Sequence, residues 1–208
     1  MRLPKPVFEG GPGSLKEILE ANRAEEEARR QRFLEFTLQD FFLNLRSRDK
    51  LSKARVRRAV PARDDREVVE LAQRLMREAS ENYLQLRMQW QREAVGYLSS
   101  LAMEAFSRLE DGEMLVPDGL DYVGLQAEGT PERPILIRAG RIGNFAGLKA
   151  RHLRVRAEEV GDYCLRRALR CDLETDTAGK CLGEEGEELR LKAREAGDWL
   201  MLESRRCK

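Results

Sequence analysis

Leu153-Arg154-Val155-Arg156-Ala157-Glu158-Glu159-Val160-Gly161-Asp162-Tyr163 and Leu189-Arg190-Leu191-Lys192-Ala193-Arg194-Glu195-Ala196-Gly197-Asp198-Trp199 are the stretches on which the C-terminal half of the chain is read. They align at an offset of 36 residues. In both, apolar and basic residues alternate, a Gly-Asp pair follows, and an aromatic residue opens a further run. A period of two belongs to a strand with one buried face, and Gly-Asp is a turn signal. The repeat therefore predicts two similar β-hairpins. With 120–127 and 134–139 as further strands, these would close a small sandwich or barrel, two copies being too few for a solenoid. Val160, Cys164, Ala168 and Cys171 also fit a helical stripe, so 158–173 can be read as strand or helix.

Upstream of this repeat, Pro117, Gly119, Gly124, Gly129, Pro131, Pro134, Gly140, Gly143 and Gly147 break the chain into short apolar runs. A domain boundary belongs just before them, which gives 112–208 as a mostly antiparallel β domain. Residues 14–111 read as helix instead. Ser14 and Glu17 make a capping box opening a helix at Leu15, and Glu25/Arg29 and Glu26/Arg30 stand at the favourable i,i+4 order. Leu34, Leu38, Phe41, Phe42 and Leu45 share one helical face.

Beyond Pro61, Asp64 or Asp65 caps a second helix carrying Val68, Ala72, Leu75, Ala79, Leu86, Trp90, Ala94, Tyr97, Leu101 and Ala105. Unbroken to Leu109, it would extend about 65 Å at 1.5 Å per residue, with a bend available at Gly96. The expected fold is thus α+β: a Gly/Pro-rich tail over 1–13, a long antiparallel helical hairpin, and a β domain holding two hairpins. Such a long apolar stripe outruns what a small domain covers, so self-association or a partner helix is expected.

Charge supplies the functional expectation. The 38 Lys and Arg nearly cancel the 37 Asp and Glu in this 208-residue chain, so only their distribution is informative. Arg46, Arg48, Lys50, Lys53, Arg55, Arg57 and Arg58 form one basic run. A second spans Arg133 to Arg156 without an acid and contains Arg138, Arg141, Lys149, Arg151, Arg154 and Arg156, whereas 172–188 is acidic. Basic runs neutralise phosphates, and on that ground these cations are expected to contact nucleic acid or a nucleoprotein partner. Tyr163 and Trp199, beside Arg154, Arg156, Arg190 and Lys192, would add a base-stacking surface. The alternative is that the second run pairs with the acidic segment, leaving a structural or adaptor subunit of a larger protein assembly.

Motifs for catalysis are lacking. His152 is the only histidine, so any Ser-His or Cys-His catalysis must use it, and the sequence supplies no oriented nucleophile beside it. Gly140-Arg141-Ile142-Gly143 superficially resembles the G-x-x-G loop of RNA-binding KH domains, but it follows a strand-like run and reads as a turn. Gly179-Lys180 lacks the rest of a phosphate-binding loop. Asp172, Glu174 and Asp176 have calcium-loop spacing, but Thr177 and Gly183 stand where that loop needs Gly and Glu. The cysteines, Cys164, Cys171, Cys181 and Cys207, form no close pair, so no zinc site is expected. A non-enzymatic, cytoplasmic protein with reduced thiols, no cofactor and no membrane span is the expectation.

Overall fold

A computed structural model describes residues 15–45, 50–198 and 203–208. The 1–13 tail, the Ser14 cap, Arg46, Arg48 and Trp199 lie outside the described residues. The chain divides into two units, one reaching Phe36 and one from Thr37 to Lys208. The first holds α1 (Leu15–Glu35), a largely exposed, charge-rich helix in which Arg29 pairs with Glu26 one turn earlier at 2.5 Å.

The second unit begins with four helices: α2 (Leu38–Leu45), α3 (Lys53–Ala59), α4 (Asp65–Glu81) and α5 (Gln89–Leu109). Among the described residues the two long helices expected from periodicity are five: α2 and α3 are separate, and two further breaks divide the rest. One break falls at Thr37, which caps α2 by exchanging hydrogen bonds with Asp40: Asp40 Oδ2 accepts from the Thr37 amide at 2.9 Å, and Thr37 Oγ1 accepts from the Asp40 amide at 3.2 Å. The other falls between Asn82 and Met88, where a single 3-10 turn lets the chain reverse. Arg108, late in α5, reaches Asp65 at the start of α4 at 2.7 Å, so α4 and α5 run antiparallel. Their apolar stripes, including Val68, Ala72, Leu75 and Ala79 with Ala94, Leu98, Ala102 and Ala105, are buried. Once the second helix is broken, the length argument for self-association falls away.

After α5 come β1 (Met114–Leu115), β2 (Ile135–Ile142), β3 (Leu153–Val160), β4 (Asp172–Ala178) and β5 (Arg190–Ala196). They form one sheet in chain order, and every pairing is parallel. The expected antiparallel hairpins, and with them the sandwich or barrel, are incorrect: this is a β-solenoid. Ile135 stands opposite Leu153, Arg154 opposite Asp172, and Asp172 opposite Arg190, so each coil from β2 onward takes eighteen residues, whereas Met114 opposite Ile137 gives the first coil twenty-three. The 36-residue offset spans two coils. It hid the single coil because Arg154 and Arg156 are followed one coil on by Asp172 and Glu174, and basic residues return only with Arg190 and Lys192.

Each coil turns its corners on residues in the left-handed backbone region. Phe145, Tyr163 and Cys181 form one such column with φ of 61°, 58° and 54°, while His152, Arg170, Glu188 and Arg206 form another at 50–54°. None is β-branched, the class for which this conformation is most strained. Their amides donate to the next coil: Tyr163 N to the Lys180 carbonyl at 2.8 Å and Arg170 N to the Glu187 carbonyl at 2.9 Å. The corners thereby continue the hydrogen-bond ladder of the strands. Corner and strand positions together point inward at intervals of two, three and four. Val160, Cys164, Ala168 and Cys171 are all buried in this way, which is why they also suited a helix.

The Gly-Asp signal marks a stack, not a hairpin turn. Asp121 Oδ1 accepts from the Asn144 amide at 2.8 Å, Asn144 Oδ1 from the Asp162 amide at 2.8 Å, and Asp162 Oδ1 from the Lys180 amide at 2.7 Å. The preceding Gly143, Gly161, Gly179 and Gly197 stack one coil apart. A Cβ on Gly161 would meet Asn144 Oδ1 at 2.5 Å and the Gly143 carbonyl carbon at 2.8 Å, so the side-chain ladder leaves room only for glycine.

Helix α5 covers the β1 end of the solenoid. Gly96 lets it approach, since a Cβ there would lie 2.6 Å from Tyr122 Cβ, and so it makes a close contact where a bend was expected. Ser100 Oγ donates to the Leu125 carbonyl at 2.7 Å, while Ser99 Oγ accepts from the Gly124 amide at 2.9 Å. Both serines are fully buried and satisfied in these bonds. Gly179→Ala is expected to destabilise the protein by about 1–3 kcal/mol, the usual cost of overpacking, as a lower urea midpoint with an unchanged slope; stability equal to the parent would contradict the stacking account.

Candidate binding surface

Eighteen residues per coil sets each exposed side chain above its counterpart in the neighbouring coil. On the strands Arg154 reaches Asp172 at 3.2 Å, and Glu174 sits between Arg156 at 3.5 Å and Lys192 at 2.5 Å. Arg194 lies 3.7 Å from Asp176. At the corners Arg166 pairs with Glu184 at 3.1 Å, Arg167 with Glu185 at 2.8 Å, and Glu188 lies between Arg170 at 2.8 Å and Arg206 at 3.5 Å. Arg154 and Arg156, at the end of the second basic run, are thus partners of the acidic segment within one chain.

The ladder shows in the acidities. Hydrogen bonds from Lys192 to Glu174, from Arg167 and Arg166 to Glu185, and from Arg170 to Glu188 hold these carboxyls below the usual carboxylate range. All are solvent-exposed pairs, so each adds little individually.

The cations singled out in the sequence do not converge. Lys53 Nζ bonds Glu104 at 2.8 Å and the Gln126 carbonyl at 3.0 Å, tying α3 to α5 and to the solenoid. Arg55 donates to the Leu45 carbonyl and Arg57 to the Ala62 carbonyl at 2.9 Å, while Lys50 and Arg58 are exposed. Arg154 belongs to the ladder, and Arg156 also pairs with Glu113 at 2.7 Å. Arg138, Arg141, Lys149 and Arg151 are exposed and, among the described residues, lack an ion-pair partner, but they sit at separate places along the coil. Tyr163 stacks on Phe145 with centroids 5.2 Å apart, and Phe145 on Tyr122 at 4.9 Å. This aromatic column occupies a corner of successive coils.

Two surface grooves collect charge. One of 590 Å³ runs across β2 to β5, where Arg138, Arg156, Lys192 and Arg194 face Glu113, Glu158, Glu174 and Asp176. It is balanced. The other, of 410 Å³, lies along the His152 corner column: Arg154, Arg170, Arg190, Arg206 and Lys208 face only Asp172 and Glu188, an excess of three cations. Sequence reading missed Arg170, Arg190, Arg206 and Lys208 as a group. Their signal was the same 36-residue offset, which relates Arg154 to Arg190 and Arg170 to Arg206.

A third polar cluster joins the helices to the solenoid. Buried Asp121 accepts from the Tyr83 hydroxyl, from Arg92 at 3.3 Å and from the Asn144 amide. Burial, reinforced by the Asp121 hydrogen bond, pushes the Tyr83 hydroxyl up to about 12. Tyr83 and Arg92 engage one Asp121 oxygen and Asn144 the other, so the cluster fastens the cap to the solenoid. His152 contributes its backbone carbonyl to the Ile135 amide at 2.9 Å. Cys164 and Cys171 are core residues whose thiols burial raises to about 12 and about 11, far from a reactive thiolate. Among the described residues no group of His, Cys, Asp and Glu has a metal-holding arrangement, and no helix is long and apolar enough to cross a membrane.

Because the ladder carboxyls titrate lower in the fold than in the unfolded chain, their stabilisation is complete above about pH 4.3 and is lost as pH falls through the lowered values. Thermal unfolding temperature should therefore drop below about pH 4.5, and a Glu174→Gln, Glu185→Gln, Glu188→Gln variant should show a shallower drop, read by calorimetry. No protein-family model, curated protein or solved structure matches the chain.

Proposed function

We propose that the protein is a non-enzymatic structural or adaptor subunit of a larger protein assembly, acting in the cytoplasm. The observation that carries this reading is the ion-pair ladder. Of the cations singled out in the sequence, Lys53, Arg55, Arg57, Arg154 and Arg156 are committed to carboxylates or backbone carbonyls, and the exposed Lys50, Arg58, Arg138, Arg141, Lys149 and Arg151 are not gathered into one patch. A surface so arranged favours rigidity over attraction of a polyanion. The core-packed Cys164 and Cys171 suit a reducing compartment.

The groove with excess cations favours a second reading, contact with nucleic acid or a nucleoprotein, through Arg154, Arg170, Arg190, Arg206 and Lys208. The salt dependence of binding distinguishes the two. On the nucleic-acid reading, five groove cations meeting phosphates should give a log–log slope of affinity against salt for duplex DNA of about −4.5, and no binding even at low salt would count against that reading. On the assembly reading, the tagged chain recovered from its own cells should travel in a complex larger than the 23.9 kDa chain that survives nuclease treatment. Recovery as a lone chain would count against that reading.

A further inference from the structure

The groove along the His152 corner holds two carboxylates, and both are engaged. Glu188 lies between Arg170 at 2.8 Å and Arg206 at 3.5 Å, and Asp172 takes Arg154 at 3.2 Å. Arg190 and Lys208, on the same groove, have no ion-pair partner among the described residues. They are also neighbours. The Lys208 amide donates to the Leu189 carbonyl at 3.0 Å and the Leu191 amide to the Lys208 carbonyl at 2.9 Å, which sets Lys208 in register with Arg190 on the side away from Asp172. With coils about 4.8 Å apart, two exposed cations stand side by side. Like charges also meet at Arg138 and Arg156, but there Arg156 holds Glu113 and Glu174. At Arg190 and Lys208 neither cation has a carboxylate. Both column positions flanking Arg190 are filled, so an anion reaches it only from the open groove.

The surroundings decide which anion fits. From the level of Pro134 to that of Arg206 the groove crosses four coil steps, about 19 Å, the reach of about six extended residues. Pro131 and Pro134 form an uncharged end, and the cations without carboxylates lie at the other. Beside the groove the corner is acidic: Glu187 is exposed next to Glu188, and Glu184 and Glu185 lie on the same turn. Duplex DNA carries a charge about every 1.7 Å, so its phosphates would meet these carboxylates on leaving the groove. A polypeptide can carry carboxylates only where cations receive them. Guanidinium groups suit that role, since they bind a carboxylate through two parallel hydrogen bonds.

We infer that this groove takes an extended acidic segment of a partner protein, whose carboxylates are bound by Arg190, Arg206 and Lys208 and whose chain runs on toward Pro131 and Pro134. This rests on the assembly reading and names its contact.

The probe is a labelled, end-blocked peptide of alternating Glu and Ala, about six residues long to match the groove, with its Gln-Ala counterpart beside it and the 208-residue protein as receptor. The acidic peptide should bind, more weakly as salt is added, and the Gln-Ala peptide about tenfold more weakly still. Arg190→Gln with Lys208→Gln should weaken the acidic peptide about tenfold. Arg138→Gln with Lys149→Gln, which removes the same charge at exposed positions outside the groove, should change binding by less than about twofold. Lys208→Glu, which sets a carboxylate beside Arg190, should abolish measurable binding and leave the melting temperature at or above that of the parent. Equal binding of the two peptides, equal loss in the two double variants, unchanged binding in Lys208→Glu, or no binding at low salt up to the solubility of the peptide would each overturn the proposal. Duplex DNA that binds more tightly than the peptide, and loses that binding with Arg190→Gln and Lys208→Gln, would give the groove to nucleic acid and overturn it too. Should the acidic peptide fail while the chain from cells still travels in a nuclease-resistant complex, the groove assignment falls and the assembly reading stands. With a lone chain in cells as well, both fall.

Discussion

Everything from β2 onward depends on one register: each residue of a coil lies beside the residue eighteen further along. Parallel strands impose it through their backbone ladder, and the left-handed corners keep it through amides that donate to the next coil. With the register set, identity at a position matters chiefly through its neighbours above and below. Leu153, Cys171 and Leu189 form one inward column, all buried, while Gly143, Gly161, Gly179 and Gly197 form another kept free of Cβ atoms by the Asn and Asp side chains. Nearest-neighbour dependence of this kind is what makes a solenoid quasi-one-dimensional.

The helical region answers a requirement that this regularity creates. A stack of coils ends in unpaired backbone and exposed apolar side chains, and the repeat itself contains nothing that covers them. Helix α5 does so with small and polar residues: Gly96 allows backbone approach, Ser99 and Ser100 satisfy backbone groups of the first coil, and Glu104 accepts from the Glu128 amide at 2.8 Å. Helix α4 then covers the opposite face of α5. Tyr83, Arg92 and Asp121 fix the angle between cap and coil from the side.

Strand positions were legible where a period of two was present, and the pairs Leu153/Leu189 and Arg154/Arg190 marked a true repeat. Strand direction was not legible. The Gly-Asp pair that ordinarily marks a reversal served to stack side-chain amides and carboxylates, and sequence does not separate the two uses. Nor was the coil length, because complementary charges on adjacent coils make neighbours look dissimilar: Arg154 faces Asp172, so similarity search skips the nearest copy and finds the second. Helix breaks fared alike. Thr37 and Asp40 carried a capping signal inside an uninterrupted apolar stripe, and the stripe took precedence in the reading. The clustering of Arg170 and Arg206 around Glu188 required the fold, since residues 36 apart in sequence meet only through the coil between them.

The alternation of charge also gives the solenoid a parity. Removing the coil of Asp172 to Leu189 would bring Arg154 beside Arg190 and Arg156 beside Lys192, like against like, although every backbone bond could still form. Adding or removing two coils at a time keeps each cation beside a carboxylate. Selection for an intact ladder would therefore allow this architecture to change length in steps of 36 residues and oppose steps of eighteen, so the unit of inheritance is twice the unit of structure.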